Sequence, residues 1–173
     1  MSNQSLHYKT LVKETPDFPI PGVLFRDVSP LLQNAEALQN IIIDFSKIIN
    51  LEKIDAFVGI ESRGFIFASL LAAKLNKGFI PLRKAGKLPQ PTFKKSYKLE
   101  YGEATLEMAP ASVKNFRVIL CDDVLATGGT LNASIELCEI AGYQVEDVLV
   151  LIDLTFLNKM TFRERKIKSL IQY

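Results

Sequence analysis

One histidine, two cysteines and no tryptophan stand in this chain of 173 residues, and the first two scarcities each remove a class of chemistry. His7 alone, close to the start, cannot build a Ser-His-Asp or Cys-His relay or a multi-histidine metal site. Cys121 lies in an apolar run and Cys138 in a helical one, so both read as small buried residues, not as a disulfide framework or a Cys-rich metal site. No stretch approaches ~18 uninterrupted apolar residues. The first seven residues lack a basic segment followed by an apolar one. A cytoplasmic protein without membrane contact is therefore expected. A net charge of +2 is too small to imply a nucleic-acid surface, and no nucleic-acid partner is expected. Whatever chemistry the chain performs must run on carboxylates, amides and cations.

What is present suits one domain spanning residues 1–173: 48% hydrophobic and 23% charged residues, enough for one core and too short for two domains with a cleft between them. Residues 15–30 hold four prolines and a glycine, which predicts a shaped, extended segment. Ala37, Leu38, Ile41, Ile42, Phe45, Ile48 and Ile49 recur at helical spacing. Buried strands are predicted at 54–60, 79–82, 117–122 and 145–154, with helices at 64–76 and 130–141. Strands alternating with helices describe an α/β fold with a central, mainly parallel sheet flanked by helices.

The run Val118-Ile-Leu-Cys-Asp-Asp-Val-Leu-Ala-Thr-Gly-Gly-Thr130 carries the chemistry. A buried strand is predicted to end in Asp122 and Asp123, at the carboxyl edge where open α/β sheets bind ligands. Ala126, Thr127, Gly128, Gly129 and Thr130 then give a turn without bulky side chains, whose amides can converge on an anion at a helix start. One Asp would suffice as a helix cap; two point to a phosphorylated, hydroxylated ligand. The loop fits neither the nucleoside-triphosphate nor the dinucleotide glycine pattern. A second turn, Glu61-Ser62-Arg63, opens on the same edge, and Arg suits pyrophosphate oxygens. Between Arg83 and Lys98 lie six cations and no acid, interrupted by Gly86, Pro89 and Pro91, which predicts an irregular stretch usable as a lid. Arg83, Lys84 and Lys87 can neutralise a leaving anion there while closure excludes water. Glu100, the carboxylate near the lid's end, can serve as an acid once enclosed.

The 118–130 run closely resembles the phosphoribosyl pyrophosphate signature of type I phosphoribosyltransferases. Together with Pro16–Asp27, Gly59–Phe65, Arg83–Pro89 and Ser96–Gly102, it resembles the adenine-using branch of that family from about residue 8 onward. The resemblance implies the type I fold with an N-terminal hood (about 1–33) and a long flexible lid (about 83–102), and transfer of 5-phosphoribosyl from its 1-pyrophosphate to adenine, forming AMP and pyrophosphate. It implies that Asp122 and Asp123 face the ribose hydroxyls and that residues 126–130 hold the 5′-phosphate. Glu61, Ser62, Arg63, Arg83, Lys84 and Lys87 are expected on pyrophosphate, with a non-proline cis peptide near Glu61–Ser62. Leu24, Phe25 and Arg26 are expected around adenine, and Glu100, Arg63 and Lys87 as the catalytic groups. Mg²⁺ is expected as cofactor, held by pyrophosphate and ribose hydroxyls with no direct protein ligand, and a homodimer is expected. Two other readings fit the same residues: transfer to another base, such as hypoxanthine or orotate, or a regulator that keeps the site as a sensor and binds nucleic acid. The basic tail after Leu157 carries no assignment.

Overall fold

A computed structural model describes residues 3–98 and 102–173. The N-terminal segment expected to form the hood contains helix α1 (Asn3–Thr10), an antiparallel ribbon of β1 (Lys13–Thr15) and β2 (Phe25–Asp27), and the short helix α2 (Ser29–Gln33). Residues 16–24 avoid helix but are not extended as expected: they fold into successive turns, closed by the Phe18 amide on the Val23 carbonyl at 3.2 Å and the Gly22 amide on Asp17 at 2.7 Å; helix resumes at Ser29 because Pro30 falls in its first turn, where its missing N–H costs nothing. Helix α3 (Ala35–Ile48) starts where the Asn34 side chain accepts the Ala37 amide at 2.9 Å, and buries Ala37, Ile41, Ile42 and Phe45. Then follow β3 (Ala56–Ile60), α4 (Gly64–Leu75), β4 (Gly78–Lys84), β5 (Phe93–Lys98) and β6 (Glu103–Met108). The chain continues through β7 (Phe116–Leu125), α5 (Gly129–Ile140), β8 (Tyr143–Asp153), β9 (Thr161–Phe162), β10 (Arg165–Lys166) and β11 (Lys168–Gln172).

The main sheet has the order β11-β8-β7-β3-β4-β6-β5, parallel from β11 to β4 and antiparallel at β6 and β5. Alternation along its strands builds a core on each face. Phe57, Ile119, Cys121, Leu149 and Leu151 pack with α1, α3 and α4, while Val58, Val118, Leu120, Val148 and Val150 pack with Leu131, Leu137 and Cys138 of α5. Burial holds both thiols protonated, that of Cys138 pushed up to about 12, which fits the inert role expected of them. No helix among the described residues is long and apolar enough to cross a membrane.

Three further features depart from the sequence reading. The basic stretch is not irregular: β4 runs through Lys84, and β5 pairs antiparallel with β6 from Phe93↔Met108 to Lys98↔Glu103. Pro89 and Pro91 stay in the turn, and an edge strand carries lysines readily because its outer face meets water. Strand β7 does not stop at Asp122; it pairs with β8 out to Leu125↔Asp153, while its pairing with β3 ends at Gly59↔Cys121. The carboxylates therefore sit where β7 loses one neighbour and its edge opens. Finally, the basic tail becomes a structural strand, β11, held beside β8 by Lys168 on Asp147 at 2.6 Å and by Arg163 on Glu146 at 3.3 Å.

Candidate active site

Three strand-to-helix or strand-to-loop turns meet at the carboxyl edge of the parallel strands. The central one holds the carboxylate pair. Asp122 Oδ1 accepts the Asp123 amide at 2.9 Å, and Asp123, only 6% exposed, pairs through Oδ2 with Arg63 Nε at 2.8 Å. Burial raises the pKa of Asp122 well above the usual carboxylate range, and the charge of Asp123 adds to it. Asp123 is also raised by burial, against the pull of Arg63. The buried Asp123 and the half-buried Asp122 share a single nearby cation, Arg63, which is paired with Asp123, so the site is short of positive charge.

Beyond the pair, Ala126–Thr130 forms the predicted cradle. Gly128 takes φ +89°, open to glycine, and caps α5. A hollow of about 70 Å³ lies over residues 124–131, the scale of a phosphate group. Tyr97 of β5 reaches this loop, its hydroxyl accepting from Thr130 Oγ1 at 3.3 Å, and Lys95 pairs with Glu136 of α5 at 2.5 Å. The β5–β6 hairpin thus lies against α5.

At the second turn the Glu61–Ser62 peptide is cis, as the resemblance implied. The Glu61 carboxylate accepts from Arg83 Nε at 3.2 Å, the Lys84 amide at 3.1 Å and Lys87 Nζ. These hydrogen bonds outweigh burial and hold its pKa below the usual value. Glu61 is thereby a counter-ion that gathers Arg83 and Lys87 at the second turn. Arg63 lies on the expected edge beside the carboxylates: it pairs with Asp123, with its guanidinium 5.3 Å from the Phe25 ring centre. One position further along the chain from Ser62, its side chain leaves the turn on the side of β7. The buried Glu107 of β6 anchors the lid turn, accepting the amides of Lys87 at 2.6 Å and Leu88 at 2.8 Å. Glu100 lies outside the described residues.

The third part is a cavity of about 450 Å³. One wall is the hood, residues 22–26, including the expected Leu24, Phe25 and Arg26; the floor is Val124 and Ala126; the far wall is Leu154, Phe156 and Leu157, with Arg63 at the side. Phe25 is backed by the edge of Phe18 at 5.1 Å. Phe156 is 64% exposed and Leu157 46%, large apolar groups that a flat ring would cover. The sequence reading missed this far wall and Tyr97. A signal existed, since two bulky apolar residues follow directly on a strand that ends at the ligand edge.

A model of the phosphoribosyl transferase domain matches residues 28–169. The chain is 58% identical over 165 residues to the adenine phosphoribosyltransferase of Bdellovibrio bacteriovorus, covering 95% of this chain and 98% of that one. The crystal structure of adenine phosphoribosyltransferase from Thermoanaerobacter pseudethanolicus superposes with a TM-score of 0.90 at 40% identity, covering 97% and 99% of the two chains. That from Trypanosoma brucei, in complex with AMP, pyrophosphate and ribose-5-phosphate, superposes at 0.84 with 30% identity, covering 99% of this chain and 80% of the other.

Proposed function

The chain belongs to the phosphoribosyl transferase domain family, and from that premise we infer how its site carries out the reaction. It transfers 5-phosphoribosyl from 5-phosphoribosyl 1-pyrophosphate to adenine, forming AMP and pyrophosphate. One observation carries the assignment of parts: the phosphate-sized hollow and the apolar cavity share Val124 and Ala126, so the two ends of a nucleoside monophosphate have adjoining seats. The ribose between them falls beside Asp122 and Asp123.

The amides of Ala126–Thr130 take the 5′-phosphate at the start of α5. Asp122 and Asp123 accept from the ribose hydroxyls and place negative potential beside the sugar as its anomeric carbon gains positive charge. Arg83 and Lys87, held together by Glu61, turn to the departing pyrophosphate. Glu100 is the acid/base at the purine once the lid covers it. The residues fit a magnesium-bound donor: the carboxylate oxygens are hard, and both groups have pKa values raised by burial, a penalty that a nearby cation relieves. Bound mainly through pyrophosphate and ribose hydroxyls, Mg²⁺ would supply charge neutralisation to the leaving group.

Main-chain groups at Leu24–Arg26 read the base. Adenine offers an acceptor at N1 and a donor at N6, whereas hypoxanthine reverses the pair and leaves buried groups unmatched, at about 1–3 kcal/mol each. AMP formation measured over a panel of bases tests this. Adenine should exceed hypoxanthine by at least ~10-fold in kcat/KM, and equal rates would refute backbone reading of the base. A cytoplasmic setting fits, since the donor is a phosphorylated metabolite. A homodimer fits the half-exposed Ile43 and the apolar groove of about 240 Å³ between α3 and α4; size-exclusion chromatography with light scattering would detect it.

A further inference from the structure

We propose that Tyr173 is a positioning residue for the base, setting the separation between the two walls of the apolar cavity; the inference rests on the adenine reading of that cavity. Tyr173 does not line the cavity, yet it is joined to both of its sides. Its ring lies 4.1 Å from the guanidinium carbon of Arg26, a hood residue that does line it. Its main-chain oxygen accepts both the amide of Thr155 at 3.0 Å and the Thr155 hydroxyl at 2.6 Å, and its own amide donates to Asp153 at 3.0 Å. Thr155 immediately precedes Phe156 and Leu157 of the far wall.

The Arg26 side chain is only 9% exposed, and its buried Nε has no hydrogen-bond partner among the described residues. Its guanidinium meets Glu14 at 3.5 Å, the rings of Tyr173 and Phe156, the latter at 5.7 Å, and the Tyr173 hydroxyl, to which it donates. A guanidinium short of hydrogen bonds depends on those ring faces for its attraction, and Arg is suited to stacking where Lys is not. Lys9 of α1 lies 4.7 Å over the same Tyr173 ring, so the ring gathers two segments of the hood onto the strand that fixes the far wall. Losing the ring frees Arg26 and lets the hood drift from Phe156, widening the slot for a flat base while leaving the phosphate cradle untouched.

Steady-state kinetics on the full chain separates this role from a general structural one. Tyr173→Phe keeps the ring and removes only the hydroxyl that Arg26 reaches, so its rise in adenine KM should stay below that of Tyr173→Leu, with the donor KM unchanged. Tyr173→Leu keeps the main-chain bonds and should raise the adenine KM about 5-fold or more, as loss of a partly desolvated cation–π contact implies, with the donor KM unchanged. Arg26→Lys should raise it similarly, and the double variant should add little beyond either single one. An unchanged adenine KM in Tyr173→Leu, equal rises for both substrates, or additive effects in the double variant would overturn the proposal. If Tyr173→Leu fails to fold, the KM split in Arg26→Lys decides. Absence of AMP formation by the parent chain would instead overturn the adenine reading itself.

Discussion

Replacing Gly64 with alanine asks how closely α4 must approach β7 at the carboxylate pair. A Cβ at this position would lie 2.6 Å from the Cys121 carbonyl oxygen, 3.1 Å from Asp122 Oδ1 and 3.2 Å from Asp122 Cα. Ordinary contact begins at 3.4 Å, so the helix start or the strand must give by about 0.8 Å. Neither yields easily, because Cys121 is paired with β3 on one side and β8 on the other. Overpacking of this kind costs about 1–3 kcal/mol, partly offset by up to ~1 kcal/mol from the better helix propensity of alanine. A net loss of roughly 1–2 kcal/mol corresponds to a Tm about 2–8 °C lower for a chain of this size. The same shift moves Asp122 by a distance close to the ~1 Å misplacement that can cost up to about 10²-fold in rate. Differential scanning calorimetry and AMP formation on one preparation read both effects. Gly129→Ala is the contrast, since its Cβ would meet only Lys98 O at 3.6 Å and should leave Tm within about 2 °C. Gly64→Ala with the parent's Tm and activity would refute the reasoning.

Asp122 should trade stability for function. An acid whose folded pKa lies above its unfolded value binds more protons folded than unfolded between the two, so stability falls as pH rises upward from about 3.8 through that window. Asp122→Asn should therefore raise Tm at pH 7 while donor binding falls; a lower Tm in thermal scans at pH 7 would contradict the charge argument. Glu107→Ala removes the acceptor of two lid-turn amides, at on the order of 1 kcal/mol or more per bond. It should raise the KM for the pyrophosphate donor more than that for adenine, as initial-rate kinetics would reveal. Glu100→Gln should lower kcat by at least ~10²-fold with little change in donor affinity; comparable losses in both would remove Glu100 from acid/base duty.

The local parts of the site were legible because local chemistry determines them. Gly128 and Gly129 mark a bare cradle, Ala37, Ile41 and Phe45 recur at helical spacing, and Asp122 and Asp123 are adjacent in the chain. What could not be read depended on partners far apart in sequence. Strand β5 was hidden because its lysines look like a solvated loop until Glu103–Met108 is known to pair with it. Strand β11 was hidden because the cations around Ile167 mask a short apolar strand that only β8 completes. The far wall at Phe156 became meaningful only once β8 was seen to run beside β7, bringing its carboxyl end to the ligand edge. Arg63 was placed on the right edge, but Asp123 and Phe25, from two other elements, decide where it points.

The central claim is that one ligand spans the Ala126–Thr130 cradle, the Asp122–Asp123 pair and the hood cavity. A crystal structure of the chain with AMP tests it most directly. The phosphate should lie within hydrogen-bond reach of the cradle amides, the ribose hydroxyls on the two carboxylates, and the purine between Phe25 and the Phe156–Leu157 wall. AMP bound elsewhere, or with its purine outside the hood cavity, would contradict the account.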